Sequence, residues 1–180
     1  MDTTLDSLVA QFDTRAKPPV ENWKPERTSA IDIRIDRQGC WYYQGSSIER
    51  SRMVALFSTI LWREENEYFL ITPQEKLRIE VEDAPFVAML MDVNGSDQNQ
   101  SLRFTDNTGN QFHADTEHRL WLSQSHDDQP APYVMVRRNL PALLSRAVYY
   151  QLAELLVEYQ SVPGVWSEGV FFEFGTPDDS

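Results

Sequence analysis

Two segments of the sequence alternate strictly between apolar and polar residues, which commits much of the chain to β-sheet. The apolar positions are Ile31, Ile33 and Ile35 in the first segment and Leu77, Ile79 and Val81 in the second. Successive side chains of a strand point to opposite faces, so this pattern predicts strands with one buried and one solvated face. Such strands are typical of antiparallel sheets, which can leave one face in water.

Further strands and two similar hairpin turns are predicted around these segments. Residues 68–72 and 86–93 are apolar except for Thr72 and Asp92, as in strands that are largely buried. An Asp-x-x-Gly sequence separates strand patterns at 36–39 and again at 106–109. Because Asp and Gly both favour turns, these four-residue segments predict one hairpin in each half of the chain.

Two longer helices are predicted, one in each half. Residues 46–49 have the form of a capping box, which predicts a helix that begins there and ends near residue 64 or 65. Asn139 is a favourable N-cap, and Pro141 is tolerated in a first helical turn, so a second helix is expected from that point.

The N-terminal region reads as a short helix followed by an extended arm. Helical spacing of apolar residues is found at Leu5, Leu8, Val9 and Phe12. Three prolines at 17–25 exclude a helix from the arm.

A polar, turn-forming stretch at 94–100 predicts the boundary between the halves. We therefore expect an N-terminal helix and arm at 1–30, a first α+β half at 31–94 and a second at 95–180. The predicted fold is α+β, with two similar sheet-plus-helix halves of mostly antiparallel strands.

Charge and cysteine content restrict the partners and the compartment. Acidic residues outnumber basic ones by 28 to 16, and a net charge of -12 repels nucleic acid polymers and anionic membrane surfaces. A small anionic ligand in a local basic pocket is compatible with this charge, and so is a protein partner. The one cysteine, Cys40, allows no intrachain disulfide, and the N-terminus lacks the pattern of a signal peptide. A cytoplasmic protein is expected.

Sequence patterns of catalysis, metal binding and phosphate loops are absent. The histidines are His113, His118 and His126, and their spacing matches no zinc motif. Asp115 could join two of them around a metal, but a polar surface strand and loop is the favoured interpretation. No G-x-S-x-G, G-x-x-x-x-G-K-[ST] or G-x-G-x-x-G sequence occurs. We therefore expect no metal, no cofactor and no catalytic residues.

Arg50 is a candidate ligand residue because it extends the apolar stripe of Met53 and Phe57 to the start of the first predicted helix. A cation at a helix N-terminus opposes the helix dipole by about 0.3–1 kcal/mol. An internal carboxylate such as Asp83 could offset this cost. An anionic ligand bound at the helix N-terminus is the alternative.

Five further residues are candidates for the same role. Arg146, Tyr149 and Tyr150 are spaced to share one helix face, where they could hold a planar anion or pack between the halves. Arg137 and Arg138 end a strand, so one of these two arginines continues an apolar face toward its edge. Lys76 is the only lysine beyond the N-terminal arm, and a solvated side chain is its alternative interpretation.

Many short motifs, in order along the chain, resemble the bacterial family known as domain of unknown function 1285. They are Pro19-Val20-Glu21-x-Trp23-x-Pro25, Asp32-x-Arg34-Ile35, Gly39-x-Trp41-x-Tyr43-x-Gly45, Ile48-x-Arg50, Leu56-Phe57-Ser58, Thr72-Pro73-x-Glu75-Lys76, Asp83-x-Pro85-Phe86, Pro132-Tyr133-Val134-x-Val136-Arg137, Arg146-x-x-Tyr149-Tyr150-x-Leu152 and Trp166-Ser167-x-Gly169. Two departures are Ser47, where the family often has proline, and Gln151, where it often has aspartate. The loss of that acid weakens any catalytic interpretation.

The resemblance implies a duplicated α+β architecture whose C-terminal half is loosely similar to pleckstrin-homology-type domains. It implies a ligand site at the interface of the halves, a nucleotide-like ligand and a signalling role, without an established enzymatic activity. The site candidates are Arg50, Lys76, Arg137, Arg146, Tyr149 and Tyr150. We therefore expect non-catalytic binding of a small anionic ligand. A hydrolase that acts on such a ligand and a protein-interaction module are the alternatives.

Overall fold

The computed structural model of the protein describes residues 4–11, 17–124 and 129–174. The chain divides into two compact units. The first comprises Met1–Asp36 and Cys40–Glu82, and the second comprises Arg37–Gly39 and Asp83–Ser180. Each unit contains a six-stranded mixed sheet, and a third sheet of three strands ends the second unit. This confirms the predicted α+β class with two similar halves and mostly antiparallel strands.

The sheet of the first unit has the strand order β3-β2-β1-β6-β5-β4. Its elements are α1 (Leu5–Val9), a 3-10 turn (Val20–Asn22), β1 (Arg27–Ile35), β2 (Trp41–Tyr43), β3 (Ser46–Ser47), α2 (Ser51–Ser58), β4 (Leu61–Glu64), β5 (Glu67–Ile71) and β6 (Glu75–Val81). The alternating apolar residues of β1 and most of those of β6 are buried, as predicted. Phe12, the last residue of the predicted N-terminal stripe, lies outside the described residues.

The main sheet of the second unit has the strand order β10-β11-β12-β7-β8-β9. Its elements are β7 (Phe86–Asn94), a 3-10 turn (Asp97–Asn99), β8 (Ser101–Asp106), β9 (Gln111–His113), β10 (Leu120–Gln124), β11 (Pro130–Arg137), β12 (Leu140–Leu144) and α3 (Arg146–Ala153), followed by the small sheet of β13 (Val157–Tyr159), β14 (Val162–Ser167) and β15 (Val170–Glu173). None of the helices within the described ranges has the length and apolar character that crossing a membrane requires.

The two six-stranded sheets have the same topology. Each consists of two three-stranded antiparallel meanders, and the first strand of one meander pairs in parallel with the last strand of the other. The parallel pair is β1 with β6 in the first unit and β7 with β12 in the second. The helices differ in position, because α2 precedes the fourth strand of its sheet whereas α3 follows the sixth.

The predicted helix beginning at Asn139 is wrong, because a hairpin occupies that position. Arg138 and Asn139 have φ values of 41° and 60°. Two successive residues with positive φ form the two-residue turn that matches the twist of a β-hairpin, and asparagine tolerates this conformation. Residues 140–144 therefore form β12, and the helix begins after Ser145.

The predicted helix at 46–65 is shorter than expected for the same reason. Gln44 and Gly45 have φ values of 50° and 81°, and they turn the chain so that Ser46 pairs with Tyr43. The serines of the supposed capping box therefore form β3. The helix α2 ends at Ser58, and the chain continues into the β4–β5 hairpin.

The two Asp-x-x-Gly turns share their local geometry but not their place in the sheet. Asp36 Oδ1 accepts the backbone N–H of Cys40 at 2.9 Å, and Asp106 Oδ1 accepts that of Asn110 at 3.0 Å. The first turn joins the first two strands of its sheet, and the second joins strands two and three of the other sheet.

The polar stretch at 94–100, where we placed the boundary between the halves, lies inside the second unit. It joins β7 to β8, which pair antiparallel. The apolar run at 86–93, which we assigned to the first half, forms most of β7 and pairs with β8 and β12 of the second sheet. A polar hairpin loop and a domain boundary have the same composition, so sequence pattern alone does not separate them.

Candidate functional site

An open groove of about 560 Å³ lies within the second unit, beside the start of α3. Its described lining is Arg37, Gln38, Val87, Met89, Gln129, Leu143, Leu144, Ser145 and Arg146. Val87 and Leu144 are buried and give the groove an apolar floor, whereas Met89 on its rim is 47% exposed. Volumes of roughly 300–1,000 Å³ are typical of small-ligand pockets. We call this feature the Arg37–Arg146 groove.

Arg146 reaches the groove from the first position of α3. Ser145 is the N-cap, and its side chain accepts the backbone N–H of Val148 at 3.3 Å. The first turn of α3 contains no acidic residue, and Arg146 is exposed. Among the described residues, no carboxylate pairs with this guanidinium. An uncompensated cation at a helix N-terminus is unfavourable by about 0.3–1 kcal/mol, which a bound anion would offset.

Arg37 reaches the same groove from the turn between β1 and β2. Asn107 Nδ2 donates to the carbonyl of Gly39 at 3.0 Å and so fixes this turn. The Nη2 atom of Arg37 lies 3.6 Å from Oδ2 of Asp83, whose side chain is 7% exposed. The other oxygen of Asp83 accepts a hydrogen bond from the Tyr133 hydroxyl at 2.7 Å. Arginines from two distant parts of the sequence therefore line the groove.

Four of the six predicted site residues belong to the second unit. Of these four, Arg146 is the one found in the described lining of the groove. Tyr149 and Tyr150 lie together on α3 with stacked rings 6.5 Å apart, and Tyr150 is 63% exposed. Arg137 lies with its guanidinium 5.3 Å from the ring centroid of Phe86. These three residues remain predicted ligand residues, but the described lining of the groove does not include them.

Lys76, in the first unit, already has an internal partner. Its Nζ lies 2.9 Å and 2.8 Å from the two carboxylate oxygens of Glu64 and 5.0 Å from the ring centroid of Phe69. The hydrogen bond from Lys76 is the main reason that the pKa of Glu64 lies below its usual value. Trp23 and Trp62 join the pair around a cavity of about 260 Å³. The charge of Lys76 is thus largely balanced within its own unit.

Arg50 is the N-cap residue of α2, and its side chain is exposed. Its side chain makes no capping hydrogen bond, and the first turn of α2 contains no acidic residue. The carboxylate that we considered as its internal partner, Asp83, contacts Arg37 and Tyr133. Arg50 therefore stays a predicted anion contact.

The histidine region forms a local loop contact. Nδ1 of His118 lies 3.1 Å from Oδ1 of Asp115, and its ring stacks on Phe112. Burial raises the pKa of Asp115, but hydrogen bonds from the backbone N–H groups of His118 and Glu117 outweigh this effect and lower it. Within the described ranges, no group of three or more His, Cys, Asp or Glu side chains is arranged to hold a metal ion, and His126 lies outside those ranges.

Arg37 was not among the site residues predicted from the sequence. It lies in a turn about fifty residues before the strand that forms the groove floor, and a single arginine in a polar turn is usually solvated. The local signal that could have pointed to it is the Gly39 turn, because a glycine with a φ of 84° allows close backbone approach to another segment.

Comparison with known proteins places most of the chain in one family. Residues 18–84 match the model described as domain of unknown function (DUF1285), N-terminal domain, and residues 85–174 match protein of unknown function (DUF1285), C-terminal domain. No protein in the curated set matches.

Two solved structures are similar. A DUF1285 family protein from Silicibacter pomeroyi DSS-3 is 40% identical, with a TM-score of 0.91 and coverage of 98% of this chain and 97% of that one. A DUF1285 family protein from Shewanella baltica OS155 is 30% identical, with a TM-score of 0.52 and coverage of 68% and 90%, respectively. The resemblance identified from short motifs is thereby confirmed, and this chain belongs to the DUF1285 family.

Proposed function

We propose that this protein binds a small ligand with an anionic group and an apolar part in the Arg37–Arg146 groove. The observation that carries the proposal is that two arginines line one groove with an apolar floor, in a molecule whose net charge is -12. Arginine presents a planar fork of donors that suits carboxylate and phosphate groups. The first backbone N–H groups of α3 add a positive field at the same end of the groove.

The proposal is one of binding without catalysis. The described lining of the groove contains one hydroxyl side chain, Ser145, which caps α3. It contains no histidine, cysteine or carboxylate that could activate this hydroxyl or transfer a proton. A protein that binds a metabolite without changing it would act in sensing or signalling. We further place it in the cytoplasm, since Cys40 is an exposed free thiol and suits a reducing compartment.

The ligand class follows from the two kinds of surface in the groove. A phosphate or carboxylate would lie between Arg37 and Arg146, and a ring or alkyl group would cover Val87 and Leu144. A nucleotide, which the family resemblance leads us to expect, has both parts. That resemblance also implies a ligand between the halves, whereas this groove is formed by residues of the second unit.

Calorimetric titration tests the proposal with four probes: hexyl phosphate, AMP, inorganic phosphate and hexanol. We expect hexyl phosphate to bind more tightly than inorganic phosphate, and hexanol not to bind measurably. Arg146→Gln should weaken hexyl phosphate binding by about 10-fold or more, since charged hydrogen bonds contribute roughly 1.5–3 kcal/mol. Arg119→Gln is the matched control, because Arg119 is exposed in the same unit and does not line the groove.

Two results would contradict the proposal. One is that none of the anionic probes binds the wild-type protein. The other is that Arg146→Gln and Arg119→Gln weaken binding equally. The affinity for the anion would then depend only on the total charge of the protein and not on the groove.

A further inference from the structure

The carboxylate of Asp83 has two unlike oxygens. Oδ1 accepts the Tyr133 hydroxyl at 2.7 Å. Oδ2 is buried, and among the described residues no hydrogen bond reaches it. Its nearest cation is the guanidinium of Arg37, at 3.6 Å. A carboxylate that is 7% exposed requires compensation of its charge, so Arg37 stabilises Asp83 through the field of the guanidinium.

The pair between Asp83 and Arg37 is loose. A separation of 3.6 Å exceeds the usual 2.7–3.2 Å of a hydrogen bond from nitrogen to oxygen. The pair is therefore held by charge attraction and not by a hydrogen bond to Oδ2 of Asp83. Arg37 is 33% exposed and lines the groove, so an anion in the groove can reach it.

Asp83 itself is held in place and does not follow Arg37. Tyr133 is 7% exposed, and its ring stacks on Trp121 with centroids 5.6 Å apart. Ala84 and Ala131 pack in the same buried cluster. The hydroxyl that holds Oδ1 therefore has a fixed position, and Asp83 remains behind Arg37 as a buried anion.

We propose that Asp83 is an internal competitor that sets the affinity of the groove by drawing Arg37 away from the ligand. This inference rests on the proposed function of the Arg37–Arg146 groove. Asp83→Asn removes the competing charge while keeping the shape of the side chain. Tyr133→Phe has the opposite effect, because a carboxylate deprived of the tyrosine hydrogen bond depends more strongly on Arg37.

The test is titration of the full chain with hexyl phosphate in a double-mutant cycle of Asp83→Asn and Arg37→Gln. We expect Asp83→Asn to tighten binding by about 3- to 10-fold, as estimated for a charge pair near the protein surface. In the Arg37→Gln background, the same change should have little effect. Tyr133→Phe should weaken binding and keeps the inference testable if Asp83→Asn does not fold, which circular dichroism would report.

Three outcomes would overturn the inference. Unchanged or weaker binding in folded Asp83→Asn would mean that Asp83 holds Arg37 in its binding position rather than competing for it. Equal tightening with and without Arg37 would mean that Asp83 acts on the ligand directly. Unchanged or tighter binding of hexyl phosphate in Tyr133→Phe would also overturn the inference. Arg146→Gln separates the two proposals: if it weakens binding but Asp83→Asn does not strengthen it, only the competition fails, whereas the absence of any binding overturns both.

Discussion

Asn107 holds the backbone of Gly39 at a distance that leaves no room for a side chain. Its Nδ2 donates to the Gly39 carbonyl at 3.0 Å, and its Oδ1 accepts the N–H of Val87 at 3.0 Å. A Cβ atom on Gly39 would lie 2.6 Å from Asn107 Nδ2. The position of Arg37, two residues earlier, therefore depends on a hydrogen-bonded contact that tolerates only glycine.

Gly39→Ala should destabilise the protein by about 2–3 kcal/mol, because a positive φ costs roughly 1–2 kcal/mol and the clash disrupts the Asn107 hydrogen bonds. Urea denaturation measures the effect. Gly109→Ala is the matched control, since Gly109 has a φ of 92° but nothing within 4 Å of an added Cβ. Equal losses of stability in the two variants would show that the Asn107 contact contributes nothing.

Arg146→Glu should separate stability from binding. An acidic residue in the first turn of α3 interacts favourably with the helix dipole, so we expect the free energy of unfolding to rise by about 0.5–1 kcal/mol. Binding of hexyl phosphate should be lost, because a cation is replaced by an anion. Thermal unfolding and calorimetry on the same samples measure both effects. A variant that is less stable than wild type would show that Arg146 has a structural role.

Ser145 should be required as the N-cap of α3. Ser145→Ala removes the oxygen that accepts the N–H of Val148, and we expect a loss of about 1 kcal/mol in urea denaturation. Ser145→Gly should cost only a few tenths of a kcal/mol, because glycine is also tolerated at this position. If the alanine variant is as stable as wild type, the capping hydrogen bond is unimportant.

The pair of Lys76 and Glu64 should make a pH-dependent contribution to stability. The pKa of Glu64 is lower in the folded state than its usual value, so this contribution is present above the unfolded-state pKa and is lost as the pH falls through the folded-state pKa. Lys76→Gln should therefore lower the free energy of unfolding at pH 7 and have a smaller effect at pH 3.

The expected loss at pH 7 is about 0.2–1 kcal/mol, because the Glu64 side chain is 48% exposed and solvent screens the pair. Lys24→Gln, at an exposed lysine beside the same cavity, is the control and should show no such pH dependence. A loss of the same size at both pH values would indicate that Lys76 acts through packing on Phe69 instead.

The sequence predicted the strands that carry their own local signal. Ile31, Ile33 and Ile35 are all buried along β1, as their alternation requires. The two predicted helix starts were wrong because two-residue turns lie at or just before those positions. Asn139 is as favourable in a left-handed turn as at an N-cap, and the choice between them depends on whether the next residues can pair with β11, which is not a local property.

The candidate site could be predicted only in part. Arg146 was identified because its spacing from Tyr149 and Tyr150 places the three side chains on one helix face. Arg37 and Asp83 are 46 positions apart, and no spacing rule connects them. In the sequence, Lys76 has no evident partner. In the structure, the β4–β5–β6 meander places Glu64, twelve residues earlier, beside its side chain.

The central claim is that Arg37 and Arg146 bind the same anion. NMR titration of the arginine side-chain Nε–H signals with hexyl phosphate tests it most directly. We predict that the signals of Arg37 and Arg146 shift together along one saturable curve, while that of Arg119 stays constant. Signals of Arg37 and Arg146 that remain unchanged, or that follow different curves, would contradict the claim.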